Sequence, residues 1–133
     1  RVLFRSAYSG YTSGAKKQAA KSTHSNVVKY IAAELQKCNL GETNAMATKL
    51  TCSGRDASKV ITAATANDGP FADFKNPYAT SALAVRSGTS TGTGGYVNLN
   101  AASTTSIDVK TCFTVDSECS TSGNVLEKTI TVE

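Results

Sequence analysis

Residues 7–38 read AYSGYTSGAKKQAAKSTHSNVVKYIAAELQKC, which is the most informative segment of the sequence. Its aromatic, aliphatic and alanine residues recur every three or four positions, with one break near Ser22–Thr23, at Tyr8, Tyr11, Ala15, Ala19, Val27, Ile31 and Leu35. That spacing places them on one face of an α-helix. Asn39 or Gly41 can supply the left-handed backbone turn that ends a helix. We therefore predict one helix over residues 7–38, about 45–50 Å long at about 1.5 Å per residue.

The sequence after the predicted helix indicates strands and loops. Residues 39–81 show no sustained period, although a short strand or helical turn is expected near Val60–Ala64. Sequential strands joined by short loops usually pair antiparallel, and the Gly/Ser/Thr-rich residues 87–95 indicate a hairpin loop. We expect a single α+β domain over residues 1–133, with the helix packed on a four-stranded antiparallel sheet within residues 82–133. The four strand patterns lie at Ala82–Arg86, Tyr96–Leu99, Ile107–Val115 and Leu126–Val132.

Positive charge is concentrated in the predicted helix. The formal net charge is +4, yet residues 1–37 contain seven basic residues and one acidic residue, whereas residues 38–133 contain seven basic and nine acidic residues. A basic helix and a slightly acidic body can complement each other between copies. The alternative is an ordinary solvated helix face. The candidate assembly or ligand surface consists of Lys16, Lys17, Lys21 and Lys29. Tyrosines are interleaved with these lysines in the sequence, so DNA is one ligand that this surface could bind.

The four cysteines favour two disulfide bonds, and therefore an oxidising compartment. Three pairings are open, and proximity in the sequence favours Cys38 with Cys52 and Cys112 with Cys119. A zinc site is the competing interpretation, but it requires closely spaced pairs of ligands that this chain lacks. We therefore predict disulfides and no metal site at these cysteines.

No pattern of residues predicts catalysis or a cofactor. His24 is the single histidine, and no nucleophile motif accompanies it, so an ordinary surface or partly packed role is expected. Gly88–Gly95 lacks the Gly-Lys-Ser/Thr of a phosphate-binding loop. Asp116, Glu118 and Asn124 could bind calcium, but they miss the EF-hand spacing and are expected to be solvated loop residues. We predict a protein that is not an enzyme.

The chain resembles the type IV pilin and pseudopilin family. The resemblance rests on Ala7-Tyr8-Ser9-Gly10-Tyr11, on the Lys/Ala/Gln-rich continuation to Cys38, and on the late pair Cys112 and Cys119 before the final strand. It implies that Cys112 and Cys119 bracket the C-terminal disulfide loop and that residues 39–81 form the αβ-loop. Two disulfides favour a pilin over a type II secretion pseudopilin, which usually has a calcium site instead.

Membership of this family implies a structural subunit of an extracellular filament used for adhesion, motility or DNA uptake. The subunit would be anchored in the inner membrane by an apolar N-terminal helix half, processed and methylated there, and then assembled by the pilus machinery into a homopolymer. The apolar half is absent from these 133 residues, and Arg1–Ser6 are expected to be a cut end or tag remnant. The alternatives are a pseudopilin and a minor or competence pilin that binds DNA or a surface ligand.

Overall fold

The computed structural model describes residues 12–132; residues 1–11 and Glu133 lie outside this range. Helix α1 spans Ser13–Asn39. Thr12 precedes it with extended backbone (φ −62°, ψ 160°), and its hydroxyl accepts a hydrogen bond from the Ala15 N–H. This is N-cap geometry, so α1 starts at Ser13, whereas the sequence pattern placed the start at residue 7. Tyr8 and Tyr11, expected on the apolar face, lie outside the described residues.

The described residues form an α+β fold with one long helix, one short helix and three sheets. After α1, the elements in chain order are β1 (Asn44–Ala45), β2 (Leu50–Thr51), α2 (Ala57–Ala64), β3 (Lys75–Asn76), β4 (Ala79–Leu83), β5 (Val85–Ser87), β6 (Val97–Ser103), β7 (Ser106–Cys112) and β8 (Val125–Thr131). Two of the sheets are small antiparallel pairs, β1 with β2 and β3 with β4. The third has the strand order β5-β6-β7-β8.

The core lies between the helices and one face of the four-stranded sheet. Helix α1 contacts β6, β7 and β8, while α2 contacts β5 and β6. Val27 and Ile31 of α1 are fully buried, as are Leu99, Ile107 and Val109 on the facing strands. These strand residues alternate with polar ones, which is the pattern of a sheet with one buried face. The helical turn expected near Val60–Ala64 belongs to α2, where Asp56 caps the N-terminus by accepting a hydrogen bond from the Lys59 N–H.

The predicted antiparallel sheet is wrong at its first strand. Strand β5 runs parallel to β6, with Val85 opposite Val97, whereas β6–β7 and β7–β8 are antiparallel. The loop after β5 therefore returns along the sheet before β6 begins and is not a hairpin. Its end is held by distant groups, because the Gly95 N–H donates to the Cys112 carbonyl and the Asn76 amide donates to the Gly94 carbonyl. The single strand predicted over Ala82–Arg86 belongs to two strands in the structure. Strand β4 ends at Leu83 and pairs with β3, and β5 begins at Val85.

Candidate functional site

The four lysines predicted as an assembly or ligand surface are spread around α1. Lys16, Lys17 and Lys21 are half-buried in its first turns, whereas Lys29 is exposed. At about 100° per residue, Lys29 is rotated about 140° from Lys16 around the helix. The structure brings Lys16 and Lys21 together with aromatic residues at the helix start and leaves Lys29 apart from them.

Two cation–π contacts join the start of α1 to the loops beyond the sheet. The Lys16 Nζ lies 5.6 Å from the ring centroid of Tyr78, and the Lys21 Nζ lies 4.4 Å from that of Phe113. Both distances are in the range of attraction between an ammonium group and a ring face. The Tyr78 hydroxyl donates to the Phe113 carbonyl at 2.9 Å. We call Lys16, Lys21, Tyr78, Phe113 and the exposed Val115 the disulfide-loop surface.

The second disulfide closes a loop next to this surface. Cys112 is joined to Cys119, as predicted, with their Cα atoms 5.6 Å apart. Asp116 Oδ1 accepts from the Gly94 N–H at 2.8 Å, and Glu118 Oε1 accepts from the Thr114 hydroxyl at 2.7 Å. The two carboxylates therefore stabilise the loop through hydrogen bonds to its own and neighbouring groups. Within residues 12–132, no three His, Cys, Asp or Glu side chains lie close enough to share a metal ion.

The first disulfide closes a loop at the other end of α1. It joins Cys38 to Cys52, also as predicted, with their Cα atoms 5.3 Å apart. Three consecutive residues in the closed loop, none of them glycine, have positive φ: Met46 (55°), Ala47 (56°) and Thr48 (67°). Each L-residue in this left-handed region costs about 1–2 kcal/mol, so neighbouring contacts must stabilise the turn.

Glu34 supplies one such contact. Its side chain is 7% exposed, its Oε1 accepts from the Met46 N–H at 2.6 Å, and its Oε2 lies 2.7 Å from the Lys37 Nζ. A hydrogen bond from Lys37 to this carboxylate, together with the carboxylate's charge, raises the pKa of Lys37. Glu34 is not among the residues for which the sequence predicted a role. Its position could have indicated the role, because Glu34 continues the spacing of Val27 and Ile31 on the buried face.

His24 is buried in the helix–sheet interface. Its Nδ1 lies 2.8 Å from the Thr111 hydroxyl, and burial lowers the pKa of His24 below its ordinary value of 6.5. The sequence predicted an ordinary surface or partly packed histidine, and the structure shows a buried one, with 6% of its surface exposed. The pair therefore connects α1 to β7 across the helix–sheet interface.

Comparison with known proteins gives no match to a protein-family model, a curated protein or a solved structure. None of the helices in residues 12–132 combines the length and apolar character needed to cross a bilayer.

Proposed function

We propose that this chain is the globular part of a type IV pilin, a structural subunit that polymerises into a filament outside the cell. The observation that supports this most directly is the asymmetry of α1. One face is buried from Ala20 to Cys38, whereas Ser13–Ala19 contain no buried residue. The start of the helix therefore retains surface for contacts beyond its own core.

The two disulfides fit a subunit that folds and functions outside a reducing cytoplasm. They close the loops at Cys38–Cys52 and Cys112–Cys119, at the end of α1 and just before the last strand. Residues 115–118 of the second loop are exposed. In the proposed filament, this loop would face solvent or a neighbouring subunit.

In this proposal, an apolar helical half upstream of Arg1 holds the subunit in the inner membrane and later packs in the filament core. The charge asymmetry supports contacts between copies, because the basic start of α1 can approach the acidic body of a neighbour. The pilus assembly machinery would perform the insertion, and no enzyme activity or cofactor is required of this chain. Any binding of DNA or of a surface ligand would be a property of the assembled fibre.

The proposal can be tested by immunogold electron microscopy of the source cells. An antibody against the disulfide-closed peptide 112–119 should label filaments, and deletion of the gene should remove the labelled filaments. The DNA upstream of the codon for Arg1 should encode an apolar helical segment. Unchanged filaments after deletion, with no labelling in the parent strain, would contradict the proposal.

A charge reversal provides a sharper test of the helix start. Lys17→Glu should reduce the number of filaments per cell, because it places an acidic side chain where the proposal puts contacts with an acidic neighbour. Lys75→Glu is the matched control, since it makes the same charge reversal at an exposed lysine of β3. Equal filament counts in the two variants would remove the assembly role of the basic helix start.

A further inference from the structure

An open groove runs between the last strand of the sheet and helix α1. Strand β8 ends the order β5-β6-β7-β8, and its second edge pairs with no other strand in residues 12–132. Two adjoining hollows, of about 290 and 270 Å³, lie between this strand and the helix and share Val28 and Lys128 in their walls. We call the space bounded by residues 25–39 of α1 and residues 126–131 of β8 the edge groove.

The dimensions of the edge groove fit an extended peptide. Residues 25–39 of the helix cover about 20 Å at about 1.5 Å per residue. A strand rises about 3.3 Å per residue, so about six residues would span the groove. The seven residues of β8 present an edge of similar length. An additional strand can therefore lie along the whole of β8.

The walls of the groove are mainly apolar, and the charged side chains in them are Lys128, which borders both hollows, and Lys29 and Glu127, which border one. Val28 and Leu35 from the helix and Ile130 from the strand supply apolar surface. Lys128 lies on the same side of β8 as Ile130, because side chains two positions apart share a face, and it is opposite the buried Val109 of β7. The ion pairs among residues 12–132 are Lys37–Glu34 and Lys49–Asp68, so Lys128 has no anionic partner there.

This charge disfavours a second copy of the chain as the occupant. Lys128 is the central residue of β8, so a symmetric antiparallel pairing of two β8 edges would place the two ammonium groups side by side. A charge that points towards the core side of an edge strand is a common protection against such self-pairing. The same charge attracts a strand that presents a carboxylate at the matching position.

We propose that the edge groove binds an extended acidic segment of a partner protein, which adds to β8 as a fifth strand of the sheet. Backbone hydrogen bonds to the free edge would provide part of the affinity. Alternate apolar side chains of the segment would contact Val28 and Ile130, and a carboxylate between them would lie beside Lys128. This inference does not depend on the filament proposal, because it rests on the groove, the strand edge and the charge alone.

A synthetic peptide tests the proposal. The peptide Thr-Val-Thr-Asp-Thr-Val-Thr, blocked at both ends, should bind with a submillimolar Kd and shift the backbone amide NMR signals of β8 and of α1 residues 25–39. Replacing its aspartate by lysine should weaken binding at least tenfold. In the Lys128→Glu variant this preference should reverse, so that the lysine peptide binds more tightly.

Lys110→Glu is the matched control, since Lys110 lies on β7 opposite Glu127, on the other face of the sheet. It should change the Kd less than twofold. The proposal is overturned if millimolar peptide shifts no β8 signal, or if Lys110→Glu and Lys128→Glu weaken binding equally. It is also overturned if sedimentation shows that the free protein is a dimer that Lys128→Ala strengthens, because a second copy would then be the occupant.

Discussion

The Nδ1 of His24 lies 2.8 Å from the hydroxyl oxygen of Thr111, and this contact joins the middle of α1 to β7 across 87 positions of sequence. Both residues are buried, Thr111 completely. A neutral imidazole can share one hydrogen bond with a hydroxyl group, whereas a buried imidazolium would have no anionic partner in this contact. The helix–sheet interface therefore favours the neutral form of His24.

Acidification below about pH 6.5 should destabilise the protein through His24. Burial lowers the pKa of His24 in the folded chain below its ordinary value of 6.5. Between these two pKa values the unfolded chain binds a proton that the folded chain does not. The free energy of unfolding should therefore decrease as the pH falls from 6.5 towards the folded pKa. Urea unfolding at about pH 7.5 and 5.5 measures this difference.

The His24→Gln variant serves as the control for this prediction. It should be less stable than the parent at pH 7.5, because it alters a packed and hydrogen-bonded site. Its stability should nevertheless change less between pH 7.5 and 5.5, since the titrating group has been removed. If the free energy of unfolding depended equally on pH in the two proteins, titratable groups other than His24 would be responsible.

The left-handed turn at Met46–Thr48 should become more stable with glycine at its centre. Ala47 is exposed and has a φ of 56°, which costs an L-residue about 1–2 kcal/mol that glycine largely avoids. We expect Ala47→Gly to raise the free energy of unfolding by up to about 1 kcal/mol. Ala33→Gly, at an exposed position inside α1, should lower it by about 1 kcal/mol. Urea unfolding should show that the free energy of unfolding increases in Ala47→Gly and decreases in Ala33→Gly. A change of the same sign in both variants would contradict the strain argument.

Gly94 should not tolerate a side chain. A Cβ atom there would overlap the backbone carbonyl oxygen of Thr114, which cannot rotate away. We expect Gly94→Ala to lower the free energy of unfolding by about 1–3 kcal/mol, as overpacking does elsewhere. Gly92→Ala, in the same loop, would meet nothing closer than the Ser90 Oγ at 3.8 Å and should be nearly neutral. Thermal unfolding of the two variants would disprove the clash if their midpoints were equal.

Removal of either disulfide should lower the free energy of unfolding by an amount that depends on the length of the loop that the disulfide closes. On the chain-entropy model, the Cys38–Cys52 bridge contributes about 3 kcal/mol and the Cys112–Cys119 bridge about 2.5 kcal/mol. Paired cysteine-to-alanine variants, compared with the parent by urea unfolding, measure both values. Mass spectrometry after alkylation without reduction should find no free thiol in the parent protein. A parent protein that is equally stable with and without reductant would contradict the prediction.

The local features of the fold could be predicted because their signals lie within short segments. The buried residues Val27, Ile31 and Leu35 repeat with the helical period, and Ile107 and Val109 alternate as in a half-buried strand. Both disulfides link cysteines that are close in the sequence, so proximity was a sufficient guide. These inferences required no knowledge of how distant segments pack.

The direction of β5 could not be predicted in this way. The loop that returns the chain from β5 to β6 is held at Gly94 by contacts over separations of 18 and 22 residues, which no local pattern reveals. The Asn76 side-chain amide donates to the Gly94 carbonyl, and the Gly94 N–H donates to the Asp116 carboxylate. The contacts of the candidate site could not be predicted from the sequence for the same reason. Sequence could place Lys16 and Lys21 on the helix, but only the folded chain shows the rings of Tyr78 and Phe113 beneath them.

The two disulfides also determine how the domain would respond to a pulling force. A chain stretched from its ends can extend by about 3.4 Å for every residue that unfolds. The segments closed by the Cys38–Cys52 and Cys112–Cys119 bridges, with sequence separations of 14 and 7, cannot contribute to that extension. About 60 Å of extension is therefore withheld while both bridges are intact, because each bridge spans only its Cα–Cα distance of 5.3 or 5.6 Å. When both disulfides are formed, the unfolded domain therefore extends less under a pulling force than it does when they are reduced.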